Sequence, residues 1–229
     1  MFDVLRACKD SRGRDIANAC FQQFTTGPFR LGSDIEKRRK ELEESSGVFV
    51  ELASGVKPSH TIGEHAKRAS KNQSACIFLY HLVNNLQPKS VIEMGTAVGI
   101  SGAYLSLALK GNATLTTLEA NPHSAAAARE TFRVLKLNNT KVVEGWFDDT
   151  LVTTMQEIKP VDFMFIDGHK DGAALTKYFE SASPFLSASA IVVFDDIDWS
   201  KDMQRAWRLI EKQPAAFTLD FGTLGIWAR

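Results

Sequence analysis

The chain reads Lys89-Ser-Val-Ile-Glu-Met-Gly-Thr-Ala-Val-Gly-Ile-Ser101 near its middle. A short β-branched run at Val91 reaches an acid, and Gly95 and Gly99 then precede an apolar helical pattern that continues to Leu109. This order predicts a strand, a tight turn and a helix. Glycines in such a turn let backbone N–H groups approach a ligand, and the helix N-terminus behind them favours a carboxylate or phosphate. The segment therefore predicts a binding site for a small ligand.

The glycine spacing differs from that of a dinucleotide site. A G-x-G-x-x-G fingerprint needs glycine two residues after Gly95, and Ala97 stands there. An ordinary strand-to-helix turn of a parallel sheet is the alternative that the glycines by themselves leave open.

The composition predicts one domain with a balanced surface. The 229 residues are enough for one sizeable core, and 27 basic residues match 27 acidic ones. No overall charge therefore attracts nucleic acid or an anionic membrane. The uncharged run from Met94 to Leu109 is shorter than a membrane span, and the charged first residues lack an apolar secretion segment. We expect a cytoplasmic protein without nucleic-acid or membrane partners, whose three cysteines are reduced.

After Pro88 the sequence alternates between strand and helix patterns. The strand patterns cover Val91–Glu93, Thr114–Glu119, Lys141–Glu144, Val161–Ile166 and Ala190–Phe194. The helical patterns cover Ser101–Lys110, Pro122–Leu137, Thr150–Ile158, Gly172–Phe185 and Lys201–Gln213. A terminal hairpin is predicted from Phe217–Phe221 and Leu224–Trp227. The pattern predicts an α/β fold with a doubly wound, mostly parallel sheet of about seven strands and a C-terminal antiparallel hairpin.

Residues 1–85 are predicted to form an N-terminal helical extension or lid that packs on the main domain, residues 86–229. Capping-box patterns at Ser33–Glu36 and Thr61–Glu64 each predict a helix start, and Ser74–Leu86 has helical spacing up to Pro88. Dimerisation through the N-terminal arm is a further prediction, which rests on three phenylalanines that look exposed: Phe21, Phe24 and Phe29.

Each predicted parallel strand ends at an acid. Parallel sheets bind ligands at the carboxyl ends of their strands, so these acids should line one edge. They are Glu93, Glu119, Glu144, Asp167 and the pair Asp195-Asp196. Several acids on one edge predict a ligand that carries positive charge or many hydroxyls, or a metal.

Two acids have a candidate role in binding a nucleoside. Glu119 lies 24 residues after Gly95, close to the spacing at which an acid binds both ribose hydroxyls. Trp146 and Phe147 are candidates to sandwich an adenine, with Asp148 accepting from its amine. Core packing of the two aromatic rings and helix capping by Asp148 or Asp149 are the alternatives.

The last two strand ends have a candidate role in chemistry. The runs Ile166-Asp-Gly-His-Lys170 and Phe194-Asp-Asp196 would bring three carboxylates, an imidazole and an ammonium together. Oxygen-rich clusters of this kind suit hard ions such as Mg²⁺ or Mn²⁺. Helix caps and turns are the alternative use of the same residues.

Five segments occur in an order that is typical of one family. They are Glu93-Met-Gly-Thr-Ala-Val-Gly-Ile-Ser101, Leu118-Glu-Ala-Asn-Pro122, Gly145-Trp-Phe-Asp-Asp149, Phe165-Ile-Asp-Gly-His-Lys170 and Val193-Phe-Asp-Asp-Ile197. From Ser90 to Arg229 the chain resembles the class I S-adenosylmethionine (SAM)-dependent methyltransferases. It is most similar to the small O-methyltransferases related to catechol O-methyltransferase. The resemblance implies a Rossmann-like fold and methyl transfer from SAM to a hydroxyl of a small-molecule acceptor.

The resemblance also implies roles for individual residues. The residues that would bind SAM are Glu93, Gly95, Thr96, Gly99, Ser101, Glu119, Ala120, Trp146, Phe147, Asp148 and Asp167. Metal-dependent members use an aspartate and an Asp-Asn pair, so Asp167, Asp195 and Asp196 would hold Mg²⁺ or another divalent cation. Asp196 departs from the asparagine of those members. The candidate catalytic residues are Asp167, His169 and Lys170. The resemblance places Lys170 at the position of the family's base, and His169 is the candidate base for a reaction without metal, because the reference pKa of an imidazole is near neutrality.

Other functions remain as alternatives. A nicotinamide-dependent oxidoreductase would lack its glycine motif, and a non-catalytic SAM-binding scaffold would hold the cofactor without consuming it. Aminopropyl transfer would need a decarboxylated cofactor on the same fold. Acceptor specificity is expected from residues 25–85 and from the loops after Asp167 and Asp196.

Overall fold

A computed structural model describes residues 10–25, 30–51 and 60–229. The elements that precede the main sheet are α1 (Ser11–Thr25), a 3₁₀ turn (Arg30–Gly32), α2 (Ser33–Glu43), β1 (Val48–Phe49), β2 (His60–Thr61), α3 (Ile62–Ala69) and α4 (Gln73–Leu86). β1 and β2 form a small antiparallel pair. Cys8, Phe29 and the side chain of Phe24 lie outside the described part, so the predicted dimer contact stays a prediction.

The main sheet has seven strands. They are β3 (Ser90–Met94), β4 (Thr114–Glu119), β5 (Thr140–Glu144), β6 (Val161–Ile166), β7 (Leu186–Phe194), β8 (Phe217–Asp220) and β9 (Gly225–Ala228). Their order is β5-β4-β3-β6-β7-β9-β8. β3 to β7 pair in parallel, and β9 is antiparallel to both of its neighbours, β7 and β8. The predicted fold class, including the C-terminal hairpin, is confirmed.

Helices cover both faces of the sheet because its strands are apolar on both sides. These helices are α5 (Ile100–Ala108), α6 (Pro122–Val134), α7 (Phe147–Ile158), α8 (Gly172–Ala182) and α9 (Lys201–Ile210). On β6, Phe163 and Phe165 pack with α4 and α5. Met164 and Ile166 of the same strand pack with α7, α8 and α9 on the opposite face. The alternation follows from the two-residue period of a strand.

Helix caps show where local pattern and structure agree. Thr61 and Glu64 form the predicted capping box at the start of α3, and Asn121 caps α6 with Pro122 at its first position. The capping box predicted at Ser33–Glu36 is wrong, because α2 follows Gly32 without a side-chain cap. The Glu36 carboxylate instead accepts hydrogen bonds from Arg39 (2.9 Å) and from the Tyr104 hydroxyl (2.9 Å).

The N-terminal helices lie against the same core as the sheet. Ile16 of α1, Leu42 of α2 and Ala66 of α3 belong to one buried cluster with residues of α4, α5 and the strands. The division into a lid (1–85) and a main domain (86–229) stays a prediction about function. Among the helices of the described ranges, none is both long and apolar enough to cross a membrane.

Candidate functional site

The candidate site lies where the strand order changes direction. From β3 the chain adds β4 and β5 on one side, and then β6 and β7 on the other. The carboxyl ends at this switch point form the crevice in which open α/β sheets bind ligands. The first residue after each of three strands donates a backbone hydrogen bond to the neighbouring strand. Gly95 N–H donates to Leu118 O (3.1 Å), Asp167 N–H to Met94 O (2.8 Å) and Asp195 N–H to Ile166 O (2.9 Å).

The turn after β3 requires glycine at its first position. Gly95 has φ +99°, and a Cβ placed on it would lie 2.3 Å from the Asp167 carbonyl oxygen. At the end of the turn, Gly99 has φ +89° and precedes α5 without a side-chain cap. The first N–H groups of α5 therefore lack a side-chain acceptor, and the helix dipole there favours an anion.

Glu93 lies beneath this turn and is fully buried. Its oxygen atoms accept hydrogen bonds from Ser101 Oγ (2.6 Å) and Thr117 Oγ1 (2.7 Å). Burial raises the pKa of Glu93 to about 8, against the opposing effect of these two hydroxyls. The predicted contact of Glu93 with SAM stays a prediction, and the geometry gives Glu93 a supporting position inside the turn. Thr117 was not among the predicted site residues, although two adjacent threonines in a central strand are a recognisable sequence pattern.

Glu119 ends β4 beside the glycine turn. Its two oxygens accept from the Ala97 N–H (2.9 Å) and the Asn121 N–H (2.8 Å), and burial raises its pKa. Each carboxylate oxygen has a second lone pair, so Glu119 can still accept from ligand hydroxyls. Ala120 follows it half-buried at the same edge. Ala97 has φ +45°, a strained value for alanine that is held by the bond to Glu119.

The predicted adenine residues take three different positions. Trp146 is 57% exposed, whereas the Phe147 ring lies edge-on to Tyr178, with ring centroids 5.6 Å apart. The Phe147 ring also covers Gly168, since a Cβ there would lie 2.8 Å from it. Asp148 is exposed and pairs with Lys177 at 2.7 Å. α7 begins at Phe147 after Trp146 and has no side-chain cap, so capping by Asp148 or Asp149 is excluded.

Three carboxylates meet at the ends of β6 and β7, as the sequence predicted. Oxygen atoms of Asp167, Asp195 and Asp196 all lie within 4.8 Å of one another. Asp195 is only 6% exposed. Burial raises the pKa of Asp167 to about 6, and the ammonium of Lys71 opposes that shift.

Lys71 enters this cluster and was missed by the sequence reasoning. Its Nζ atom contacts Asp195 Oδ2 and lies 3.7 Å from Asp167 Oδ2. Lys71 lies in the short break between α3 and α4, where a lysine carries no recognisable sequence signal. The buried thiol of Cys76, whose pKa burial raises to about 12, donates to the Lys71 carbonyl oxygen at 3.6 Å.

The two candidate bases after Asp167 point to different neighbours. Lys170 Nζ contacts Asp196 Oδ2 and lies 4.3 Å from the ring centroid of Trp199. His169 Nδ1 lies 3.1 Å from the Tyr178 hydroxyl. Lys170 therefore belongs to the carboxylate cluster, and His169 faces the side of Phe147 and Tyr178.

A divalent cation would find oxygen ligands in this cluster, but two ammonium groups already contact those oxygens. Lys71 occupies the side of Asp167 and Asp195, and Lys170 the side of Asp196. An ammonium group has no lone pair with which to ligate a metal. Its positive charge repels a metal ion that binds the same carboxylate oxygens. The residues as arranged therefore do not fit a resident metal.

A family model described as a methyltransferase domain matches residues 92–197, from β3 to the loop after β7. The matched segment contains the glycine turn, Glu119 and the carboxylate cluster. This match and the sheet order confirm the resemblance to class I methyltransferases.

Several known proteins are similar to this chain in sequence or in fold. A catechol O-methyltransferase from Niastella koreensis is 31% identical over 137 residues, which are 59% of this chain and 60% of that protein. A catechol O-methyltransferase from Mycobacterium tuberculosis is 31% identical over 121 residues, 52% of this chain and 53% of that protein. The chain thus spans less than two thirds of the length of these curated relatives. An O-methyltransferase from Bacillus cereus, solved with S-adenosylhomocysteine (SAH), shares the fold over 100% of both chains, with a TM-score of 0.66 and 17% identity.

Proposed function

We propose that this methyltransferase transfers a methyl group from SAM to a hydroxyl oxygen of a small-molecule acceptor. One observation carries the proposal: the glycine turn after β3 and the carboxylate cluster after β6 are in direct contact at Gly95 and Asp167. We therefore expect a ligand bound across the turn to reach the cluster. Two relatives named catechol O-methyltransferase, and a similar structure solved with SAH, support this choice of cofactor and acceptor.

The donors and acceptors along the crevice fit SAM. The uncapped N-terminus of α5 favours the carboxylate of its methionine part, and Glu119 offers acceptor sites for the two ribose hydroxyls. Beyond Glu119, Trp146 and Phe147 offer aromatic surface for adenine. We therefore retain the predicted SAM residues, with Glu93 and Ser101 as supports of the turn.

Bound SAM supplies the methyl group on a positively charged sulfur. The acceptor oxygen forms the new bond to the methyl carbon while the carbon–sulfur bond breaks and its electron pair stays on sulfur. The hydroxyl proton leaves to a base and then to water. Asp167 and Lys170 lie in the carboxylate cluster, so we propose that the proton is transferred there. His169 is the less favoured base, because its imidazole is hydrogen-bonded to the Tyr178 hydroxyl.

The acceptor is proposed to enter between the cluster and the N-terminal segments. Trp199 is 64% exposed beside Lys170 and offers an aromatic wall. On the cofactor side, Asn121 Nδ2 donates to Val50 O at 2.8 Å, which fixes the β1–β2 pair close to Glu119. This contact supports our proposal that residues 25–85 contribute to acceptor specificity.

Thermal denaturation with SAH and with NAD tests the cofactor. We expect SAH to raise the melting temperature and NAD to leave it unchanged. Glu119→Ala should weaken SAH binding about 10- to 100-fold, because it removes charged hydrogen bonds. Glu144→Ala is the matched control, since Glu144 ends the neighbouring strand but is exposed and pairs with Arg129. An equal shift with NAD, or no shift with saturating SAH, would reject the proposal.

A screen of small hydroxyl compounds tests catalysis. The measurement is SAH release from SAM, with and without each compound. Release that depends on a hydroxyl acceptor supports O-methylation. SAM binding without release from any compound would favour a non-catalytic scaffold instead.

A further inference from the structure

The carboxylate cluster includes two ammonium groups, which a site for one metal ion would not need. Oxygen atoms of three acids lie within 4.8 Å of one another, and two lysine ammonium groups contact different members of this set. Lys71 is the more enclosed of the two, with 18% of its side chain exposed against 39% for Lys170. The Lys71 ammonium contacts the carboxylates of two different strand ends.

The backbone around Lys71 fixes the approach of its side chain. α3 ends just before it, and Asn72 caps α4 just after it by accepting from the Ala75 N–H at 2.9 Å. The Lys71 carbonyl oxygen accepts from the buried Cys76 thiol. α4 in turn packs within the core beside α5. Lys71 therefore starts from an anchored junction of two helices, unlike a lysine on a free surface.

We propose that Lys71 is the resident cation of this site and takes the place of a divalent metal. Its ammonium group holds the Asp167 and Asp195 carboxylates together and presents positive charge to the acceptor oxygen as negative charge develops there. A metal ion at the same carboxylates would have to displace this ammonium. The role toward the acceptor rests on the function proposed above, whereas the exclusion of metal does not.

Metal binding by the free protein tests the proposal without any turnover. Mn²⁺ is titrated into the wild type, Lys71→Met and Lys67→Met, and free Mn²⁺ is measured by electron paramagnetic resonance. We expect Lys71→Met to bind one Mn²⁺ ion, which should raise its melting temperature. The wild type and Lys67→Met should bind none. Lys67 is the matched control because it lies exposed on α3. Adding Asp195→Asn to Lys71→Met should abolish the new Mn²⁺ binding.

The second measurement is methyl transfer in excess chelator. Wild-type turnover should be unchanged, and Lys71→Met should lose activity on the order of 100-fold. Added Mn²⁺ should restore part of this loss. Lys71→Arg keeps the charge and should exclude Mn²⁺, which provides a second variant if Lys71→Met does not fold.

The proposal would be overturned if the wild type bound Mn²⁺ as tightly as Lys71→Met does, or if a folded Lys71→Met bound no Mn²⁺. Loss of wild-type turnover in chelator would overturn it as well. Failure of the methyltransferase proposal is recognised separately, by absence of SAH binding in the wild type, and leaves the Mn²⁺ comparison intact.

Discussion

The two ends of the ligand edge hold their carboxylates by different means. At the turn end, after β3 and β4, Glu93 and Glu119 accept only from hydroxyl and backbone N–H groups among the bonds described above. At the lysine end, after β6 and β7, Asp167, Asp195 and Asp196 contact the ammonium groups of Lys71 and Lys170. Both ends belong to the same sheet and lie against each other at Gly95.

We infer from this difference that the turn end recognises the ligand and that the lysine end carries out the reaction. Burial keeps the pKa of Glu93 raised, because the hydrogen bonds from its two hydroxyl partners offset only part of the effect. These partners fix the turn by geometry, so the turn end depends on shape. Ammonium partners keep charge concentrated at the lysine end, where the proposed reaction develops negative charge on oxygen. Substitutions should therefore act through steric fit at one end and through charge at the other.

The largest effect is expected from Gly95→Ala at the turn end. The new Cβ would combine an unfavourable φ with a 2.3 Å contact to Asp167 O, which should cost about 4 to 6 kcal/mol of unfolding free energy. SAH binding should be lost with it. Gly222→Ala is the control, because Gly222 has φ +90° but no atom within 4 Å of its Cβ position. In urea denaturation the control should lose about 1 to 2 kcal/mol of unfolding free energy. Equal losses for the two variants would show that the contact with Asp167 O is not the cause.

Glu93→Gln should change the pH dependence of stability. Because the pKa of Glu93 is raised to about 8, the folded protein keeps a proton that the unfolded chain loses. This stabilisation is complete below the unfolded pKa and is lost as the pH rises through about 8. Between about pH 5 and pH 8 the wild type should lose up to about 4 kcal/mol relative to the variant.

Urea denaturation across this pH range provides the measurement for Glu93→Gln. Glu144→Gln is the control, since Glu144 is exposed at the end of β5. Parallel pH curves for the wild type and Glu93→Gln would show that Glu93 titrates normally in the folded protein.

Asp195→Ala should give a smaller loss, at the lysine end. It leaves Lys71 with one carboxylate partner in a largely buried site, which should cost about 3 kcal/mol of unfolding free energy. Asp148→Ala removes an exposed pair with Lys177 and should change the stability little, because water screens an exposed ion pair. Urea denaturation at low and high salt compares the two, and a loss for Asp195 no larger than that for Asp148 would remove the charge-based account of this end.

The sequence predicted the turn end more completely than the lysine end. Glycine spacing, strand patterns and the acid at Glu119 are local signals, and the structure placed them as expected. At the lysine end the grouping of three acids followed from strand order, because parallel strands end at one edge. The partner Lys71 comes from a helix junction far away in the sequence, and only the packing of α4 brings it there.

Local patterns failed where other contacts, both within the helix and from distant residues, competed for the same side chains. Ser33–Glu36 has the residues of a capping box, but Tyr104 and Arg39 engage Glu36. The Thr61–Glu64 pattern succeeded because its glutamate bonds back to the Thr61 N–H at 2.7 Å. A capping pattern therefore predicts a helix start more reliably than it predicts the cap itself.

The thiol of Cys76 gives the junction that carries Lys71 a built-in chemical reporter. A buried thiol with a pKa of about 12 is almost entirely protonated at neutral pH, and only the thiolate reacts with alkylating reagents. Alkylation of Cys76 therefore requires the first turns of α4 to open. The labelling rate of that single peptide, read by mass spectrometry, follows the opening of the helix that positions Lys71.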